Sequence, residues 1–134
     1  AGSAAQVVTL SNNASGGFIK DLGQDGRGVI VTQVFPSARS IAQPMVAEAI
    51  ALAKAKGGIE MSPAALEGFA SAKVLVEGLR RAGPKPTRAR VVAALESIAV
   101  YDLGGGMDIS YSPQDHSGLG FADLSIISDG RFKR

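Results

Sequence analysis

The run Val29-Ile-Val-Thr-Gln-Val-Phe35 most narrows what this chain can become. It lacks the 3.6-residue spacing of an amphipathic helix, and Pro36 stops it. A short continuous apolar run of this kind is what a parallel strand covered on both faces shows. Layers must therefore lie on each side of it, and the rest of the chain offers helices for that purpose.

Upstream, Gln6 to Leu10 is a β-rich run. It leads through the polar turn Ser11-Asn-Asn-Ala-Ser-Gly-Gly17 into a short helix predicted from about Phe18 to Leu22. Downstream, Ile41, Met45, Ala49 and Leu52 recur at helical spacing between Ser40 and Lys56, with Gly57-Gly58 as the stop. Ser62 followed by Pro63 is an N-cap and first-turn pair, which starts a second helix ending near Ala82. Its apolar residues Leu66, Phe69, Ala70, Val74, Val76 and Leu79 cover more than one stripe, so more than one surface must bury it.

Thr87 caps a third helix with Val91, Val92, Leu95 and Ile98 on its inner face. The alternation of Met107, Ile109 and Tyr111 with Asp108 and Ser110 marks a strand, and Phe121 to Ile127 is another, joined to it by a loop. Asp129-Gly130 is a tight-turn dipeptide after which the chain folds back or frays. The pattern is α/β, without repeats or low-complexity tracts.

At 134 residues, 46% hydrophobic and 19% charged, the chain is sized and composed for an ordered core. A formal charge of +2, from 14 bases spread among 12 acids, argues against nucleic acid as a partner. No apolar stretch is long enough to span a bilayer, and no charged and apolar leader opens the chain. Without cysteine there is no disulfide, thiolate metal site or cysteine nucleophile.

Chemistry-bearing groups are sparse. Asp115-His116 is the one acid/base pair, and no Gly-x-Ser-x-Gly elbow presents a nucleophile, so a loop histidine that caps backbone carbonyls is the expectation and no catalytic residue is assigned. One histidine with scattered acids does not make a metal site, and no cofactor is indicated. Gly104-Gly-Gly106 lacks the Lys-Ser/Thr of a phosphate loop and precedes a strand, which makes it a flexible strand lead-in or hinge element. Ser11-Asn12-Asn13 stands at the C-terminal end of a strand and just before a helix, the edge at which open α/β sheets bind ligands. Its residues are equally good turn formers and caps.

Four segments carry a family resemblance: Gly28 to Pro36, Leu66-Glu-Gly-Phe69, Tyr101 to Gly118 and Phe121 to Phe132. In that order they resemble the C-terminal portion of a type I periplasmic binding protein, the branched-chain amino acid type of ABC-transporter substrate-binding protein. The resemblance implies part of a two-lobed α/β fold, parallel-sheet strands with covering helices. It places residues 1–35 and 121–134 in one lobe and 37–116 in the other, with hinge crossings near Phe35-Pro36 and near Ser117 to Gly120. The middle helices then lack the sheet they normally cover, so self-association is expected, as a homodimer through exchange of elements between identical chains; the alternative is a chain cut from an intact protein with the missing part still bound.

Family roles carry over to few positions. An acid that pairs with the ligand's ammonium group is replaced by Ser11, or by Asn12 if the register slips, which points to a carboxylate or aromatic acid. Ala64 stands where the family has a bulky side chain closing over the ligand, and Phe35 is a candidate apolar wall. The resemblance implies a non-enzymatic solute-binding component of an ABC importer. Its partners would be a small molecule and, in a longer parent, an ABC permease, and its location periplasmic, or extracellular and membrane-associated. The alternatives are a ligand-sensing regulatory or receptor domain of the same fold, and an inactive fragment. A hydrolase built on His116, Asp115 and a serine is a distant further reading.

Overall fold

The computed structural model describes residues 5–13 and 15–133, without the side chain of Asn12. Two sheets are present. The first has the order β1-β2-β6-β7, formed by Val8–Thr9, Ile30–Gln33, Asp123–Ser128 and Arg131–Lys133. The second has the order β3-β4-β5, formed by Tyr101–Asp102, Asp108–Ser112 and Asp115–Leu119. Between them in sequence run α2 (Pro44–Ala55), α3 (Pro63–Ala82) and α4 (Arg88–Glu96), while α1 (Gly16–Leu22) follows β1.

The apolar run forms β2, which pairs in parallel with β1, Val8 opposite Ile30. Its other neighbour, β6, runs antiparallel, with Ile30 opposite Ile126. The sheet is therefore mixed, and one face only is closed. Val29, Val31 and Ile127 are buried under Phe18, Ile19 and Leu22 of α1, with Phe132. On the opposite face Val8, Leu124 and Ile126 are exposed. The two-sided burial that the sequence called for is not reached within this chain.

Helix starts follow their caps. Ser62 Oγ accepts from the Ala65 N–H at 3.1 Å and Thr87 Oγ1 from Arg90 at 3.3 Å, both as the sequence indicated. Ser15 caps α1 in the same way, through Phe18 at 3.1 Å. The helix predicted from Ser40 begins instead at Pro44, because turns occupy the preceding residues, and Ile41 is left 73% exposed. Met45, Val46 and Ala49 of α2 join Leu66 and Ala70 of α3, Ile98, Leu103, Met107 and Ile109 in the larger core. Val76 and Val92, expected inside, are exposed.

The segment 115–119 is a strand and not a loop, held by antiparallel pairing to β4. The strand predicted from Phe121 begins at Asp123. Asp129 and Gly130 both have positive φ, 51° and 67°, and turn β6 into β7, so the end of the chain folds back. Gly104-Gly-Gly106 is a compact turn. The Asp102 carboxylate accepts from the N–H groups of Gly104 at 2.7 Å and Gly106 at 3.2 Å. The turn sits so close to α2 that a Cβ on Gly105 would lie 2.6 Å from Pro44 Cδ.

Candidate ligand cleft

The turn Ser11–Asn13 is one turn of 310 helix lying against α3. Ser11 donates its backbone N–H to the Thr32 hydroxyl on β2 at 3.1 Å, and Asn13 donates its side-chain amide to the Thr9 hydroxyl at 2.8 Å. Asn13 is thus occupied in shaping the turn, while Ser11 is half-buried beside it. The side chain of Asn12 lies outside the described residues. Ala64 is the second residue of α3 and is exposed. Phe35 is half-buried and packs against the larger core. The fold therefore brings the Ser11 turn together with the helix that carries Ala64, and sends Phe35 into packing.

A cleft of about 170 Å³ opens where the first sheet and α1 meet the start of α3. Ser11, Phe35 and Ala64 do not line it. Gln33, Ser125, Arg39, Glu60, Ser62 and Arg131 do. Its floor is fixed: Gln33, 5% exposed, donates from Nε2 to Ser125 Oγ at 2.9 Å, and Ser125 donates to the Val31 carbonyl at 3.2 Å. That chain of bonds holds the amide and the hydroxyl in one orientation, as buried polar groups require. Among the described residues Arg39, Glu60 and Arg131 form no ion pair, so two guanidinium groups and one carboxylate stand free at the rim. The cleft can hold a small polar molecule that brings its own negative charge.

Sequence reasoning missed Gln33 and Ser125 as site residues. The available signal was a polar residue interrupting an apolar strand run at both places, in Thr32-Gln33-Val34 and in Leu124-Ser125-Ile126.

Asp115 and His116 do not combine into an acid/base pair. Asp115 Oδ1 accepts from the Ser117 backbone N–H at 2.9 Å and from the Ser117 hydroxyl, and those bonds hold its carboxyl below the usual carboxylate range. His116 Nε2 lies 3.1 Å from Glu96 Oε1, a side-chain carboxylate and not the backbone carbonyls expected. His116 and Glu96 line a groove of about 290 Å³ together with Val74, Val92, Leu95 and Tyr111. Its walls are almost wholly apolar, and it offers a ligand little to orient on. Among the described residues no three His, Asp or Glu gather as a metal would need.

Residues 1–122 match the family described as periplasmic binding protein. The chain belongs to the periplasmic binding protein family. This binding-protein chain is 35% identical to a substrate-binding periplasmic protein from Ralstonia solanacearum, over 93% of its own length and 36% of that chain, with a TM-score of 0.82. It is 25% identical to a possible leucine/isoleucine/valine-binding protein from Rhodopirellula baltica, covering 96% of itself and 35% of that chain, TM-score 0.81. An extracellular ligand-binding receptor from Verminephrobacter eiseniae is 27% identical over 96% of this chain and 37% of that one, TM-score 0.78. The chain thus spans little more than a third of the length of these solved relatives, and its fold is part of the type I periplasmic-binding-protein fold. No curated protein matches it. The family is one of binding proteins, which agrees with a cleft lined by polar groups.

Proposed function

We propose that this chain is the C-terminal portion of the solute-binding component of an ABC importer, and that it captures a small carboxylate-bearing molecule, amino-acid-like or aromatic. The observation that carries the reading is the cleft itself, whose walls come from two parts of the chain. The first sheet and α1 supply Gln33, Ser125 and Arg131, and the segment around the start of α3 supplies Arg39, Glu60 and Ser62. On this reading 1–35 and 121–134 form one lobe and 37–116 the other, with the hinge at Phe35-Pro36 and after β5. Closure of two lobes on a ligand is how periplasmic binding proteins work. The free guanidinium groups of Arg39 and Arg131 would meet the carboxylate, and closure would bury it. Export to the periplasm or cell surface and a permease partner follow from the same reading.

The test is isothermal titration of the chain with leucine, aliphatic and aromatic carboxylates, and their neutral amides. Carboxylates should bind, weakly since the opposing walls are incomplete. Their amides should not, and the double variant R39Q/R131Q should lose about tenfold or more in affinity. Equal heats from acids and amides, or none from any acid at millimolar concentration, would sink the reading.

A further inference from the structure

Five of the chain's 14 bases, Arg80, Arg81, Lys85, Arg88 and Arg90, fall in residues 80–90, which hold none of its 12 acids. That segment therefore carries +5 and the rest of the chain −3. It runs from the last turn of α3 through Gly83-Pro-Lys-Pro86 into the first turn of α4. Glu77 answers Arg80 and Arg81, but its single charge leaves +4, and the Arg80 side chain stays 72% exposed. Every residue from Pro84 to Arg90 is exposed, so the bases stand on a projecting ridge.

The ridge is held in shape. Arg90 donates from Nη1 to the Lys85 carbonyl at 3.1 Å, and Thr87 caps α4. The side chains of Lys85 and Arg88, by contrast, have no hydrogen-bond or ion-pair partner among the described residues. Arg88 and Arg90 also occupy the first turn of α4, where no acid stands, and so set positive charge against the positive end of the helix. Crowding bases in this way costs stability and repays none of it at Lys85 or Arg88. A local rule broken without a gain inside the fold marks a surface kept for something outside it.

We propose that the turn between α3 and α4 rests on the surface of an anionic phospholipid bilayer, with its bases among the headgroup phosphates. A bilayer presents negative charge over a plane, which a ridge of bases meets all at once. Val76 and Leu79, 64% and 40% exposed, stand on the same side of α3 as Arg80. They give the ridge an apolar flank of the kind that enters the headgroup boundary, and that the phosphates of a nucleic acid would leave in water. Each base at such a surface raises the partition about fivefold, so a net of four gives about a thousandfold. The contact is weak and reversible, and the negative remainder of the chain disfavours docking through other faces. It needs no bound solute and stands whether or not the ligand reading holds.

Vesicle flotation with the purified chain decides it. At low salt the chain should float with phosphatidylcholine vesicles that hold about one-third phosphatidylglycerol, at about millimolar lipid, and not with phosphatidylcholine alone. Salt at about 0.5 M should release it. The variant K85Q/R88Q should lose about 30-fold in partition, two bases at about fivefold each. K54Q/K56Q, with the same change in net charge at the exposed end of α2, should keep the wild-type value. Circular dichroism verifies that the variants stay folded, with Lys85→Gln alone and a loss of about fivefold as the substitute if K85Q/R88Q does not. Equal flotation with neutral vesicles, none at about 5 mM anionic lipid, or an equal loss in K54Q/K56Q would overturn the proposal. So would a DNA duplex that binds more tightly than the vesicles at equal phosphate concentration, which would make the ridge a nucleic-acid contact.

Discussion

Gly78 of α3 faces Leu95 of α4 so closely that a Cβ on the glycine would lie 2.6 Å from Leu95 Cδ2 and 3.0 Å from its Cγ. The α3–α4 contact therefore depends on a missing side chain. Alanine in place of Gly78 gains helix propensity, about 1 kcal/mol, yet forces Leu95 from its rotamer at a cost of about 1–3 kcal/mol. Gly78→Ala should destabilise the chain by about 1 kcal/mol net, read from urea unfolding. Gly68→Ala, with open space beside it, should stabilise it.

Lys73 ties three elements. Its ammonium donates to Glu48 Oε2 on α2 at 2.6 Å and to the Leu103 carbonyl at 2.8 Å, and it stands 5.6 Å from the centroid of the Phe69 ring. Lys73→Met keeps most of the stem packing but leaves the Leu103 carbonyl without this donor. A loss of about 1–2 kcal/mol is expected, with faster amide exchange in residues 102–106 as the local readout.

Gly105 and Gly106 both have positive φ, 79° and 80°, but only Gly105 abuts α2. Gly106→Ala carries the backbone strain alone, about 1 kcal/mol. Gly105→Ala adds the clash with Pro44 and should cost about 1–3 kcal/mol more. Thermal unfolding of the two variants separates these effects, and equal losses would show that the contact gives way freely.

Glu77 is buried and bonded to both arginines that follow it, to Arg80 at 2.8 and 2.9 Å and to Arg81 at 2.6 Å. Hydrogen bonds from Arg80 first, then Arg81, lower its pKa from 4.5 to about 2. On acidification the unfolded chain takes up this proton before the folded one. The stabilisation is therefore complete above pH 4.5 and is lost as pH falls from 4.5 towards 2. Asp115 and Asp129, also lowered, act with the same sign, so Glu77→Gln should flatten the acid limb of a stability–pH curve without abolishing it.

Caps and breakers made much of this fold legible. Ser62-Pro63, Thr87 and Asp129-Gly130 each act through bonds to near neighbours, and each stands where the sequence put it. Periodicity identified faces but could not say whether anything covers them, which is why Val76 and Val92 emerged exposed. β3 is two residues long, and β5, with Asp115, His116 and Gly118, has no strand signature of its own. Both exist because β4 supplies hydrogen-bond partners. The Ser11 turn was visible as a turn, but the Gln33–Ser125 bond joins residues 92 positions apart, and no local pattern encodes it.

The hairpin that closes the chain also decides how the first sheet treats other strands. β7 is an edge occupied by Arg131 and Lys133, the latter paired with Asp129, and charge there repels an incoming strand. At the other edge β1 lies beside Val7, Val8 and Leu10, each more than half exposed and none charged. Of the two edges of this sheet, β1 is the one without charge, so an edge-to-edge meeting of two such sheets is favoured there over β7.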